Sequence, residues 1–423
     1  MTLAFLELND LELRLWQGDQ LVVSEPGWAL LTEPPKVGQQ ALDEARLQPR
    51  LANCQFWQAF STDPMPGATP VARHHADLAY LQLTALKHLA PSSDFVIGVP
   101  GHFERADLSL LLGLTDAASI PVKALIDPGV LLASKALSTT PNLLYLDVGL
   151  HAVTLTTVRQ GAQLQRSRCL MAHNAGYLNL IDRLANYAAS ALVRKSRFDP
   201  LQHASTEQQL FQQLLQPNQP LASLGQGLIS LHHEGVQYDV QLPETDLRAA
   251  AAELVPDVVK AIQAASNGPA EVLLSHRAQR LPGLIDSLSL IPGLVTQRLT
   301  SASLLEAFTA LAPELTANST HNQLIYSLAN PAQATATATE QLSTGHSITH
   351  IVQQGIAVEI KAFSETTADD FGLILDAVTG QWQLAPGNLS IALNGQSVTE
   401  PCLLKAGDAI LAGNQTFLFI QVR

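Results

Sequence analysis

The chain has 423 residues, a net charge of −13 and only 14% charged residues, against roughly 25% in ordinary soluble proteins. A surface so poor in Lys and Arg would repel a phosphate backbone, so no nucleic acid is expected among its partners. The length asks for about two or three domains, and a hydrophobic content of 47% supplies ample interiors. Cys54, Cys169 and Cys402 lie far apart with no CxxC pair, a pattern suited to a reducing compartment. The opening MTLAFLELNDLELRLW sets acids among its apolar residues, unlike a signal peptide. No stretch approaches the ~18 uncharged apolar residues of a membrane span. The expectation is a cytoplasmic protein with no membrane span.

The first elements read as strands by alternation: 3–8 and 11–16 flank the turn dipeptide Asn9-Asp10, and Gly18-Asp19 makes a second turn before LVV. Residues 74–89 carry apolar positions at helical spacing. Phe95–Val99 is a short apolar run ending in Pro100-Gly101, the mark of a buried strand and its turn. Strand and helix then alternate through 104–112, 122–126 and 128–137. LLYLDV at 143–148 is a second buried strand, and 152–158 pairs with it across a Gly-containing turn. A long helix over 177–195 ends in basic residues, as the macrodipole prefers. A Gln-rich helical segment spans 201–218, a strand pair 227–242, and a helix 244–265. A strand at 271–275 and a helix near 282–289 complete an α/β pattern.

Residues 312–345 are small, polar and rich in Thr and Pro, which reads as a linker region. Short strands separated by Gly, Asn or Asp turns follow at 347–352, 355–362, 371–376, 381–384, 389–393, 402–404 and 409–422. The expected domains are 1–315, a linker at 316–345, and an all-β sandwich at 346–423.

Several segments of the first domain fall in the order of a known superfamily. Val99-Pro100-Gly101-His102-Phe103 is similar to its Val-Pro-Ala-x-Phe. Residues 122–137 are similar to its connecting strand and helix, and LLYLDVG at 143–149 to its second phosphate strand. Residues 174–200 resemble its Gly-Gly segment and long helix, and VLLSHRAQRLP at 272–282 its adenosine strand. This part of the chain, about residues 1–300, resembles the actin, sugar kinase and DnaK superfamily, most closely the DnaK-type ATPase domain. The resemblance implies a two-lobed α/β fold with a nucleotide cleft.

That chemistry needs Gly and Thr hairpins to cradle phosphates, carboxylates to hold Mg²⁺ and a water, and a basic side chain on the phosphoryl group. Glu7-Leu8-Asn9-Asp10-Leu11-Glu12 stands where Asp-x-Gly-Thr-Thr is expected. Asn9 can take the positive φ of the missing Gly, but Asp10 and Glu12 would face the phosphates. At an effective dielectric of ~20, one like-charge pair at ~4 Å costs about 4 kcal/mol. The second hairpin keeps Asp147 and Gly149, with Leu150, His151 and Ala152 in place of Gly, Gly and Thr. His276-Arg277 replaces the Gly pair of the adenosine loop, although Arg280 and Pro282 match. The spacing that should lead to a catalytic Lys lands on Phe56-Trp57, and no Lys occurs between Lys36 and Lys87. Arg46, Arg50 or Arg73 could substitute.

The cleft candidates are therefore Glu7, Asn9, Asp10, Asp127, Asp147, Gly149, His151, Gly176, His276, Arg277 and Arg280. Glu7, Asp127 and Asp147 form a candidate cation site, weighed against short acids serving as turn and cap residues. The C-terminal segment resembles the end of a forkhead-associated domain through Asn394-Gly395, Leu404, Gly407-Asp408, Ile410 and Gly413. Ser347-Ile348-Thr349-His350 spells that family's Ser-x-x-His too early in the domain, and no Arg occurs between Arg298 and Arg423. Phosphopeptide binding is not expected. His74-His75 and His232-His233 lack ligand spacing for a metal, and Trp28, Phe56, Trp57 and Phe60 read as core.

The expected function is that of a non-catalytic DnaK/actin-like interaction module or scaffold, with other proteins as partners and no cofactor. One alternative is an active ATP-binding, chaperone-like ATPase with unorthodox phosphate loops, which would take ATP and Mg²⁺. Another is a sensor that holds a small ligand in the interlobe cleft.

Overall fold

The computed structural model describes residues 2–136, 138, 140, 142–215, 228–266, 268–317, 324–330, 348–353, 356–361, 363, 373–375, 382–385, 391–394, 396–398, 401–404, 408–412 and 415–420. The chain is mixed α/β with several sheets and divides into two compact units, Met1–Asn330 and Pro331–Arg423.

The first unit holds two six-stranded sheets built to one plan. Thr2–Glu7, Leu13–Gln17 and Gln20–Glu25 form an antiparallel meander, and Ser93–Gly98 and Val122–Ile126 then add in parallel beside Thr2–Glu7. Asn142–Val148, Val153–Gln160 and Gln163–Ala172 repeat the meander, and Ala270–Leu274 and Leu294–Arg298 repeat the parallel extension. Counted within each half, the spatial order is third, second, first, fourth, fifth. The helices His75–Leu89 and Arg105–Ala117 precede and follow Ser93–Gly98 in sequence, and Leu284–Ser289 connects the last two strands of the second half.

The first strand of each half is buried on both faces, which its sequence shows as a run of apolar residues rather than a half-polar alternation. Ala4 and Leu6 enter one core and Phe5 another. Leu144, Leu146 and Val148 likewise separate from Leu143 and Tyr145. The core of Phe5 and Tyr145 is common to both sheets and takes in Val130 to Ala133 and Phe308 from helices Pro128–Ala133 and Ser303–Ala317.

The expected single helix over 244–265 is two, Glu244–Ala252 and Val255–Ala265. Pro256 has no N–H to donate, and it sits in the first turn of the second helix where none is needed. The Gln-rich helix, Ala204–Leu215, has a use for its amides. Gln209 and Gln213 each exchange two hydrogen bonds with the backbone of strand Leu228–His233, at His232 (2.8 and 3.0 Å) and Ser230 (2.9 and 3.2 Å).

The expected linker needs correction at one point. Leu324–Ile325 pairs in parallel with Val122–Ile126, and Ser327–Ala329 pairs antiparallel with Gln163–Ala172. This strap extends both sheets, and the boundary between units falls after Asn330 rather than after residue 315. Of its apolar residues only Leu324 and Leu328 are buried, with Tyr326 half exposed between them, too short a pattern to read as a strand. Residues 318–323 and 331–345 of the expected linker lie outside the described residues.

In the second unit, a six-stranded antiparallel sheet runs in the order Ile356–Glu359, His350–Gln353, Gln415–Ile420, Ala409–Ala412, Ile391–Leu393, Gln396–Ser397. Leu373–Leu375, Trp382–Leu384 and Cys402–Leu403 form a three-stranded sheet. Ile351, Trp382, Leu384, Ile410 and Phe419 share one core. Asn394 takes a left-handed φ of 51°, and its side chain bonds both Asp408 and the Ala409 amide. Ser347, Gly395, Gly407 and Gly413 lie outside the described residues.

Candidate functional site

The sequence-derived candidates gather where the parallel strands of both halves end, the usual place for a site in an α/β sheet. Glu7 closes Thr2–Glu7 and faces Arg14 across the first hairpin. Arg14 Nε donates to Glu7 Oε2 at 2.8 Å, and Arg14 Nη1 donates to the Ser301 carbonyl at 2.7 Å. The turn between them does not use Asn9 as a glycine substitute, because Asn9 is not among the left-handed residues. Its side chain instead accepts from the Leu11 amide at 2.9 Å and donates to Asp147 Oδ2 at 3.0 Å and to the Val148 carbonyl at 3.2 Å.

Asp10 turns toward the second hairpin, where its Oδ1 accepts from the Leu150 amide at 2.7 Å. Gly149 makes room for it, since a Cβ there would lie 2.4 Å from the same oxygen. A carboxylate thus occupies the Leu150 backbone amide. The helix Tyr177–Ser196 is closed in the same way. Its amides at Tyr177 and Leu178 donate to the carbonyls of Gly149 and Leu150, both at 2.9 Å. Gly176 permits that approach, as a Cβ would lie 2.2 Å from the His151 carbonyl carbon. His151 points away, its Nε2 donating to the Cys54 carbonyl at 2.8 Å.

Arg277 stands at the centre, 1% exposed. Its Nε and Nη2 fork onto Asp147 at 3.0 and 2.8 Å, and Nη2 also donates to Glu7. Nη1 lies 3.7 Å from Glu12 Oε2, which also meets His276 at 2.8 Å and Arg280 at 3.6 Å. Burial would raise the pKa of all three acids. For Glu7 the guanidinium groups of Arg14 and Arg277 outweigh it, and for Asp147 that of Arg277 does, holding it at about 2. For Glu12 the His276 hydrogen bond and the nearby arginines outweigh burial. The same acids raise Arg277 well above its usual value, against the effect of its own burial. Internal partners thus take up Glu12, whereas Asp10, held at Oδ1 by the Leu150 amide, also lines open space.

Asp127 completes the set from a separate position. It is fully buried, caps helix Pro128–Ala133 by accepting from Gly129 and Val130 at 2.8 and 3.2 Å, and pairs with Arg166 at 3.2 Å. Burial raises its pKa, with Arg166 acting against that rise. The candidate cation site of Glu7, Asp127 and Asp147 is not assembled: guanidinium groups and helix amides hold each acid. Among the described residues no group of three His, Cys, Asp or Glu could hold a metal ion. The residues present do not fit the Mg²⁺ that the resemblance implies.

Beside this network lies a cavity with about 40 Å³ open to the centres of water-sized atoms, lined by Glu7, Asn9, Asp10, Trp57, His102, Tyr145, Asp147, Gly149, Thr154 and others. Trp57, at the end of the spacing expected to lead to a Lys, lines this cavity. Arg46, one of the three possible substitutes, is engaged elsewhere. Its guanidinium lies 4.1 Å over the Phe211 ring and pairs with Asp182 and Glu207 at 3.1 and 3.3 Å. Gln208 bonds the backbone of Leu42 and Arg46 at 2.8 and 2.7 Å. These contacts fasten the 38–53 segment of the first half to helix Ala204–Leu215 of the second.

Arg14, Arg166, Trp57 and His102 were not among the sequence candidates. Only Arg14 left a usable signal, since the register of a hairpin turning at Asn9-Asp10 sets it opposite Glu7. No protein-family model matches the chain, and no curated protein matches it.

Proposed function

We propose that the first unit is a degenerate, two-lobed actin/DnaK-type domain that has exchanged nucleotide for internal ion pairs, and that the protein serves as an interaction module or scaffold. The observation that carries this reading is Arg277, which comes from the position of the adenosine loop and forks onto Asp147 while touching Glu7. A guanidinium takes the part of the metal ion, and the Asp10 carboxylate that of a phosphate oxygen. Glu7, Glu12 and Asp147 are matched by Arg14, Arg277 and Arg280, so a triphosphate would find no cation left to neutralise it. Losing a site need not lose a fold, and a surface must then carry the function.

The second unit is read as a forkhead-associated-like sandwich that makes contacts with protein partners. Its segment 344–422 has only Lys361 and Lys405 as basic residues, against seven acids, which favours a neutral or basic partner surface over a phosphopeptide. Calorimetric titration with ATP and Mg²⁺ tests the first half of the proposal: affinity no tighter than millimolar is expected, and micromolar binding would refute it. Affinity capture with the full chain and with residues 1–330 tests the second half. Recovery of the same partners by both would return the function to the first unit.

A further inference from the structure

Every carboxylate around the cavity except one is matched by a cation. Glu7 has Arg14 and Arg277, Asp147 has Arg277, Glu12 has Arg277 and Arg280, and Asp127 has Arg166. Asp10 lines the cavity and takes part in no ion pair among the described residues. Its Oδ1 is bound by the Leu150 amide. Burial raises its pKa, with the charge of nearby His151 acting against that rise, and His151 Nε2 is committed to the Cys54 carbonyl, so a cation in the cavity would restore the charged carboxylate.

Two further features of the wall are independent of that acid. His102 lines the cavity with both ring nitrogens buried and neither hydrogen-bonded. An unpaired buried polar atom costs about 1–3 kcal/mol, so a partner is wanted there. The rings of Trp57 and Tyr145 also line the space, and aromatic faces attract cations. No lysine or arginine is among the lining residues, while Glu7, Asp10 and Asp147 are, so the charged side chains of the wall are all acidic.

We propose that this cavity is a binding site for a small primary alkylammonium ion, whose charge pairs with Asp10 and one of whose N–H groups donates to the acceptor nitrogen of His102. The space, about 40 Å³, corresponds to roughly three water molecules, which sets the head group at about three or four non-hydrogen atoms. Burial lowers the pKa of His102 to about 4, so the ring is neutral at pH 7 and has a lone pair to accept with. The site is the space that the ion-pair network leaves open, and it stands whether or not the scaffold reading does.

The test is a titration of the full chain with ethylammonium chloride, read by NMR at the Leu150 amide and the His102 ring, with sodium chloride and sodium acetate as controls. A ligand of so few atoms is expected to bind with a Kd of about millimolar, giving saturable shifts at both positions and none with the controls. Asp10→Asn keeps an oxygen for the Leu150 amide but loses the charge, and is expected to weaken binding about tenfold. His102→Leu, which leaves the acid in place, is expected to weaken it several-fold and stands in should the first variant not fold. Shifts that do not saturate, shifts centred elsewhere, or a folded Asp10→Asn variant that binds like the wild type would each overturn the proposal.

Discussion

Arg277 meets Asp147 through two parallel hydrogen bonds, Nε to Oδ1 at 3.0 Å and Nη2 to Oδ2 at 2.8 Å, across 130 residues of sequence. Both side chains are almost wholly out of water, at 1% and 11% exposure. A fork of this geometry orients as well as attracts. It ties the end of strand Asn142–Val148 to the loop after Ala270–Leu274, and through Glu7 to the first sheet.

Removing one partner of a buried pair leaves the other charged and dry. Arg277→Ala is therefore expected to destabilise the first unit by about 3–5 kcal/mol, read from urea unfolding of the full chain by a probe within residues 1–330. Arg277→Lys keeps the charge without the fork and should fall between. Freed of the guanidinium, Glu7 and Asp147 would accept a hard cation, so Mg²⁺ should stabilise Arg277→Ala and leave the wild type unchanged. An alanine variant as stable as the wild type would show that the network contributes nothing to the fold.

The pH dependence follows from the same contact. Arg277 holds Asp147 at about 2, against 3.8 for a free aspartate, although burial alone would push it upward. A depressed carboxylate gives its full stabilisation above its unfolded pKa and loses it as pH falls through the folded one. Between about pH 4 and pH 2 this group should cost the fold about 2 kcal/mol, with Glu7 adding in the same direction. Asp127 has the opposite sign: burial raises its pKa, so its contribution favours low pH and fades as pH rises. Denaturant midpoints at pH 5, 4 and 3 should fall steadily for the wild type and less steeply for Asp147→Asn.

The strap 324–330 gives a boundary test. A chain ending at Asn330 is expected to melt close to the first unit of the full protein. One ending at residue 323 loses the pairing of both short strands and the burial of Leu324 and Leu328, together worth about 3 kcal/mol or more. Its melting temperature should drop by several degrees. Equal melting of the two truncations would mean that the strap only decorates the sheets.

Gln209 and Gln213 supply the last prediction. Each amide satisfies an outward N–H and C=O of the edge strand Leu228–His233. Replacing both with Ala should leave the overall fold intact and speed hydrogen exchange at the Ser230 and His232 amides about tenfold or more. Unchanged exchange there would show that water serves those groups equally well.

The sequence by itself determined the mixed α/β character of the first unit and most of its elements, because periodicity is local and Pro and Gly mark the ends of segments. It also located Glu7 and Asp147 as acids kept, and Arg277 as a residue changed, relative to the nucleotide-binding pattern that the first domain resembles. What they do instead was beyond its reach. Asn9 was expected to imitate a glycine, and it bridges the two hairpins with its amide. Asp10 and Glu12 were expected to repel a phosphate, and each is held by a group from the other half of the chain, Leu150 and His276. Asp127 read as the third member of a cation site, yet Arg166 and a helix N-terminus hold it apart. The strap read as linker because two short strands paired to different sheets carry no period of their own. A run of charges fixes only the sum that must be neutralised; which cation meets which acid is settled when two sheets bring residues more than a hundred positions apart within 3 Å, where burial makes each pairing decisive.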